Sequence, residues 1–349
     1  MVASAMKAAI LALCILSTPV IADLGKPVLF KGGLGSHVNT KLMASMPSTK
    51  STHKEWAHGK IPERCATEGK NVNPPLKPTD FHIFDVCYTD CDEACDCDEA
   101  CDCDEAWIMC RHKDAQLTIN QLIDYFGRLP VHERQSVSYV VGVPGGGSAY
   151  EIGGTVVFQG NTASISVFQH EVGHAVDAYN DADGTSSSTT LFAEALRKDS
   201  CVPDAYANTN KVEDWTQVSV LLMYDKVVPG GLDTIGANWA CLGAQLVAVA
   251  NRQGAAMNLG GKCTKRLPYG KVISMGGAST RESAVDIPVM TLVPGHPLVV
   301  EVNTNRGGKV THFTDITFNE TEDALAAERQ AAWNAEALVP TGRRVRRNF

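Results

Sequence analysis

Apolar positions recur along this chain with two different periods. Residues 81–90 (FHIFDVCYTD) alternate enough to predict a strand with one covered face. Residues 117–126 (LTINQLIDYF) carry helical spacing, and 136–143 (SVSYVVGV) read as a strand. Pro144, Gly145, Gly146 and Gly147 break that strand, and 154–159 (GTVVFQ) resumes it, so the break reads as a hairpin-like turn. A phosphate-binding reading of these glycines fails, because neither a Lys-Ser/Thr pair nor a helix follows directly. In 164–179 (SISVFQHEVGHAVDAY), Ile165, Phe168, Val172 and Val176 recur at near-helical spacing, and Asn180, Asp181 and Gly184 end the helix. Residues 190–198 predict a short helix, and 210–226 a longer one with Asn210 as its N-cap. The runs at 215–228 and 239–250 are apolar but interrupted, which marks core elements rather than membrane spans.

The flanks are patterned differently. Residues 23–80 are rich in Gly, Pro, Lys and Ser and read as an irregular N-terminal extension, either packed on the rest or a pro-segment. Beyond residue 265 the chain is Gly- and Pro-punctuated and β-rich. Residues 320–338 are Ala- and Glu-rich and predict a helix, and the basic tail at 343–347 reads as a frayed end. The whole is an α+β pattern, with a β-sheet preceding the helix at 164–179. It divides into 1–22, 23–80, 81–265 and 266–349.

The first of these divisions is a targeting signal. Lys7 closes a short basic region, residues 8–17 are almost wholly apolar, and Val20-Ile21-Ala22 precedes a cut near Asp23. The alternative is an uncleaved anchor, but the apolar run is too short to span a bilayer, and no later run reaches about 18 residues. The expected location is therefore extracellular, at the cell wall or spore surface if not free. Asn319-Glu320-Thr321, a glycosylation acceptor pattern, fits that route.

Charge changes the picture less than it first suggests. The net charge is −8, yet residues 91–106 read CDEACDCDEACDCDEA and hold eight acids and no base. Removing those eight from the 39 acids leaves 31, equal to the 31 bases. No global positive field exists to bind nucleic acid. The repeat reads as a tandem expansion in a surface loop. Its Cys95/Cys97 and Cys101/Cys103 pairs give a competing reading as a thiolate metal site, which an oxidising compartment disfavours. Of the 12 cysteines, Cys14 leaves with the signal, and an odd 11 remain. Setting the five repeat cysteines aside leaves Cys65, Cys87, Cys110, Cys201, Cys241 and Cys263, an even framework suited to disulfides of unassigned pairing.

One constellation carries chemistry. His170-Glu171-Val172-Gly173-His174 is H-E-x-x-H, and two histidines at i and i+4 share a helix face from which both imidazoles can reach one metal ion. Glu171 lies about 100° round the helix, placed to take a proton from a metal-activated water. A catalytic zinc needs a third protein ligand. Asp177, Glu194 and Glu213 compete for that role. The helix carries Asp177 about 4.5 Å beyond His174, which favours a hydrogen bond to a histidine over ligation. Glu194 has apolar neighbours and a place open to solvent. Glu213 opens a strongly apolar helix, and Tyr206 just before it could donate to an oxyanion.

HEVGHAVDAY followed by YANTNKVEDWTQ resembles zinc metallopeptidases of the gluzincin group, of the lethal-factor type, over residues 166–218. That resemblance implies a secreted zincin-like metallopeptidase domain over 81–265 with a mixed β-sheet and an active-site helix. It implies Zn2+ bound by His170, His174 and Glu213, Glu171 as general base, Tyr206 at the oxyanion, and a peptide or protein substrate. Gln217 stands where that family has a second glutamate, which alters the surroundings of the metal. The strand at 154–159 would be an edge able to hold an extended peptide. The alternative is a non-catalytic secreted or spore-associated protein that keeps the fold. The signal pattern, and the Phe-Asp-Val-Cys strand before a cysteine pair, are also similar to secreted fungal conidiation-specific protein 13 relatives. An aspzincin pattern fits less well, since Ser188 occupies the position of its aspartate.

Overall fold

In the computed structural model of the protein the described residues are 24–89, 103, 105–180 and 185–276. The expected targeting signal, most of the acidic repeat, the Asn319-Glu320-Thr321 triplet, the helix expected at 320–338 and nearly all of the C-terminal region expected to be β-rich lie outside them. The described elements are α1 (Gly35–Ser45), β1 (Ser51–Glu55), β2 (Lys60–Pro62), α2 (Glu63–Asn71), β3 (Phe81–Tyr88), β4 (Trp107–His112), α3 (Ile119–Gly127), α4 (Val131–Arg134), β5 (Tyr139–Val143), β6 (Ser148–Ile152), β7 (Thr155–Gln159), α5 (Ile165–Tyr179), α6 (Thr190–Lys198), α7 (Lys211–Val227), α8 (Gly243–Gln253) and β8 (Val272–Ser274). Among the described residues this is a mixed α+β structure with eight helices.

Six strands form one mixed sheet in the order β1-β3-β4-β5-β7-β6. β4, β5 and β7 are parallel, and the outer pairings are antiparallel. Every residue of β5 and β7 is buried, because both faces of the sheet are covered. Alternation divides the side chains between two clusters. Val140 joins Phe158, Phe168 and Trp215 under the helices, while Val141 joins Cys65, Ala66 and Phe81 on the opposite face. Two disulfides, Cys65–Cys110 and Cys201–Cys241, tie α2 to β4 and the start of the 201–208 segment to the approach of α8.

Several expectations change. β7 is not an edge: β5 and β6 flank it, and β6 is the edge. Gly153 and Gly154, at φ 60° and 77°, make the positive-φ turn that folds β6 and β7 into a hairpin. The glycines at 145–147 are therefore not a hairpin turn. β5 and β7 are parallel, and this segment carries the chain past the β7 position to the outer strand. β6 escaped the sequence reading because SAYEI has little apolar alternation.

The N-terminal region, expected to be irregular, holds α1, β1, β2 and α2. Val38 and Leu42 of α1 are four residues apart and bury together where the helix packs on α5 and α7. Such short helices have weak local signals and are stabilised by packing rather than propensity. The acidic repeat falls in the β3–β4 connection, beyond the pairing that runs from Phe81 opposite His112 to Val86 opposite Trp107. Its Cys103 is buried and bonded to Cys263. The disulfide framework therefore includes Cys103, one of the repeat cysteines, alongside Cys263.

Candidate metal centre

α5 is buried almost all round. Its apolar face sits in the core, where Phe168 stacks on Phe158 of β7 with ring centroids 3.8 Å apart. Its polar face, with His170, Glu171, His174 and Asp177, is buried as well. Buried polar groups require partners. Those of the histidines come mainly from α7.

α7 begins where predicted. Asn210 Oδ1 accepts hydrogen bonds from Val212 N at 2.9 Å and Glu213 N at 3.0 Å, the capping geometry that satisfies free amides of a first turn. Glu213 thus emerges at a defined angle. The two helices can approach because Gly173 has no side chain: a Cβ there would meet Ser219 Oγ at 2.9 Å and Thr216 Cγ2 at 3.6 Å.

The result is a triangle of ligand atoms. His170 Nε2 lies 3.0 Å from Glu213 Oε2 and 3.1 Å from His174 Nε2, and His174 Nε2 lies 3.3 Å from Glu213 Oε2. Among the described residues this is the one group of three or more His, Cys, Asp or Glu side chains close enough to share a metal ion. The other oxygen of Glu213, Oε1, accepts from Tyr206 Oη at 3.0 Å. The Tyr206 ring tilts over His170 at 5.4 Å and is 48% exposed, so it forms the solvent side of the triangle. Behind the ligands, Thr216 Oγ1 lies 3.3 Å from His170 Nε2, and His170 Nδ1 is buried with no hydrogen-bond partner.

Electrostatics match this burial. Desolvation lowers the His170 pKa against the pull of Glu213. Burial alone would raise the Glu213 carboxyl, but the two imidazoles beside it reverse that and hold it below the usual carboxylate range. Two further acids lie near His174. Burial pushes Glu151 on β6 up to about 7 and Asp177 up to about 6, each against hydrogen bonds that favour the charged form.

The remaining candidates separate clearly. Glu194 is exposed on α6. Both oxygens of Asp177 are engaged by Ser187: Ser187 N donates to Oδ1 at 2.7 Å and Ser187 Oγ to Oδ2 at 2.6 Å. The helical rise takes Asp177 past the triangle to the loop that folds back after α5. Gln217 Nε2 donates to Asp204 Oδ2 at 2.9 Å. Sequence reasoning missed Thr216, Asp204 and Ser187. Thr216 was findable, since it lies three residues after Glu213 on the same helix face. Asp204 was also findable, because an aspartate two residues before Tyr206 is a turn-forming signal. Ser187 carried no local signal.

Comparison with known proteins bears on the whole of this arrangement. The family model for conidiation-specific protein Con-13 matches residues 32–284, which include every residue of the triangle and both helices that build it. Over 191 residues the chain is 30% identical to conidiation-specific protein 13 of Neurospora crassa, covering 53% of this chain and 52% of that one. The chain thus spans about half the length of the curated relative it matches. No solved structure matches it.

Proposed function

This chain belongs to the conidiation-specific protein Con-13 family, and from that premise we propose that it is a secreted zinc-dependent metallopeptidase with a zincin-like domain. The observation that carries the reading is the buried triangle of His170, His174 and Glu213. A tetrahedral ion bound at zinc's usual 2.0–2.1 Å needs donor atoms about 3.3 Å apart. The three edges measure 3.0, 3.1 and 3.3 Å. With both histidines protonated at Nδ1, the two imidazole nitrogens and the carboxylate oxygen would aim lone pairs at one point, which a cation can occupy. Nitrogen and oxygen donors in this number suit zinc.

His170, His174 and Glu213 would hold the zinc ion, which when bound would supply Lewis acidity to polarise a peptide carbonyl and acidify a water near neutral pH. The residues do the rest. Glu171, buried beside His170, accepts the water proton as the new C–O bond forms. It returns that proton to the leaving nitrogen as the C–N bond breaks. Tyr206, half exposed and now donating to Glu213 Oε1, turns to donate to the carbonyl oxygen as negative charge develops. Secretion is supported by the targeting pattern and by the disulfides Cys65–Cys110, Cys103–Cys263 and Cys201–Cys241. No helix among the described residues is long and apolar enough to cross a membrane.

Metal analysis of the purified protein tests this. One zinc per chain is expected, lost in His174→Ala and kept in Glu171→Gln. A wild-type protein without zinc, or zinc surviving His174→Ala, would sink the reading. A second reading keeps the fold and the metal without catalysis, as a secreted or spore-associated protein. Its support is that the relative is named for conidiation rather than for an activity, and that the Tyr206 hydroxyl is committed to Glu213. Chelator-sensitive cleavage of a denatured protein, abolished by Glu171→Gln, would reject it.

A further inference from the structure

Gln217, the departure from the metallopeptidase pattern, has a partner that explains it. Asp204 is buried, and its two oxygens receive four donors. Oδ1 accepts from Tyr206 N and Ala207 N, each at 3.0 Å. Oδ2 accepts from Leu34 N at 2.9 Å and Gln217 Nε2 at 2.9 Å. An ionised carboxylate has about four acceptor sites and no proton to give, so all are used. Any side chain that meets Asp204 from α7 must therefore donate. An amide does so; a second carboxylate would bring like charge onto a filled acceptor.

The consequences reach the triangle. Gln217 is four residues beyond Glu213 and shares its helix face. Asp204 fixes that face at one end, and at the other it fixes the turn whose first side chain, Tyr206, reaches Glu213 Oε1 at 3.0 Å. The contacts close a ring: Asp204 to Tyr206, Tyr206 to Glu213, one turn of α7 to Gln217, and Gln217 back to Asp204. The bond from Leu34 N, with backbone bonds from Leu29 N to Val202 O and from Phe30 N to Pro203 O, ties the N-terminal segment to the same ring.

We infer that Asp204 and Gln217 are a matched pair of positioning residues that set Tyr206 against Glu213, and that glutamine at 217 adapts this site rather than dismantling it. The inference rests on the proposed zinc site only for what Tyr206 and Glu213 go on to do. Its test is a charge-swap series: Gln217→Glu, Asp204→Asn and the double variant, with Gln217→Ala to remove the donor without adding charge. In the double variant the introduced amide donates to the introduced carboxylate and its oxygen still accepts from Tyr206 N and Ala207 N, while Leu34 N loses the acceptor it had in Asp204 Oδ2, so the restoration is partial.

Hydrogen exchange at the Tyr206 and Ala207 amides should quicken at least tenfold in Gln217→Glu, and by less in Gln217→Ala. In the double variant it should be slower than in Gln217→Glu but still faster than in wild type, because Leu34 N lacks its acceptor there. Zinc affinity should follow the same order. Unchanged exchange in both single Gln217 variants, or a double variant no slower than Gln217→Glu, would overturn the inference. Absence of zinc from the wild type would instead overturn the proposed function, and the exchange comparison would still decide the pairing.

Discussion

Two buried glutamates on opposite faces of the sheet show how differently one side chain can be accommodated. Glu68 of α2 is surrounded by groups that carry protons. Tyr150 Oη donates to its Oε2 at 2.9 Å, Asn71 Nδ2 donates to the same oxygen at 3.1 Å, and Arg64 Nε lies 3.4 Å from Oε1. Such a carboxylate is compensated by the protein itself, through two hydrogen bonds to Oε2 and the ion pair to Oε1, which makes no hydrogen bond. Glu213 of α7 takes the Tyr206 hydroxyl on one oxygen and faces two imidazole nitrogens, whose donor or acceptor role the tautomer decides, on the other. Where donors carry protons, the cluster holds the fold together. Where two imidazoles and a carboxylate oxygen converge, the cluster has the donor set to take a cation.

The sharpest way to break this contrast is to remove a ligand. His174→Ala should weaken zinc binding by a factor of about a thousand or more, since two ligands rarely hold a structural or catalytic ion. The melting temperature of the wild type should fall on adding a chelator, because a ligand that binds only the folded state stabilises it. That of His174→Ala should not move, and calorimetry with and without chelator checks both. On the opposite face, Glu68→Ala should cost about 2 kcal/mol by removing the acceptor of Tyr150 and Asn71 and the ion pair with Arg64, while leaving one zinc per chain. Denaturant unfolding with metal analysis separates the two effects, and loss of zinc in Glu68→Ala would erase the distinction.

A third glutamate extends the comparison. Glu133 has a single neutral donor, Gln169 Nε2 at 2.9 Å, with Lys226 contributing at longer range. Burial pushes its pKa up to about 8. The folded state therefore keeps the proton while the unfolded chain gives it up near 4.5. Its stabilising share is complete below the unfolded value and is lost as pH rises through about 8. Glu133→Gln should remove this pH dependence and raise stability at pH 9 by on the order of 2 kcal/mol. Equal slopes of stability against pH in the two proteins would contradict the assignment.

Smaller effects probe how the helices are set. Gly173→Ala gains up to about 1 kcal/mol of helix propensity but must displace the Ser219 hydroxyl 2.9 Å away. Stability should then change little, while zinc affinity drops severalfold as α5 moves from α7. Titration with a competing chelator would detect the drop. Asn210→Ala should cost about 1 kcal/mol by uncapping α7, readable as a shift in unfolding midpoint.

How much of this was legible can be judged from particular residues. α5, α6 and α7 lie where their apolar periodicity placed them, and the Asn210 cap is as read. The i, i+4 histidines needed no structure to be put on one face, because helix geometry alone puts them there. Glu213 was chosen over Asp177 by the same geometry and by resemblance. By contrast, α1, α2 and β6 lacked strong local patterns, and the parallel pairing of β5 with β7 follows from a crossover that no hydrophobic pattern records. The Cys103–Cys263 bond joins residues 160 positions apart, a distance at which spacing says nothing.

What the sequence by itself determined is therefore local: a helix bearing two histidines and a glutamate, a capped second helix opening with a carboxylate, and a charge excess confined to one repeat. The tertiary structure decided what those pieces face. The packing of α7 across Gly173 brings Glu213 to the histidines. The return of the loop gives Asp177 to Ser187, and the docking of residues 29–34 completes the ring around Asp204. The physical reason is one of range. Helix spacing and capping act within about a turn and are written into neighbouring residues. The approach of two helices is set by the summed burial of many side chains distant in sequence.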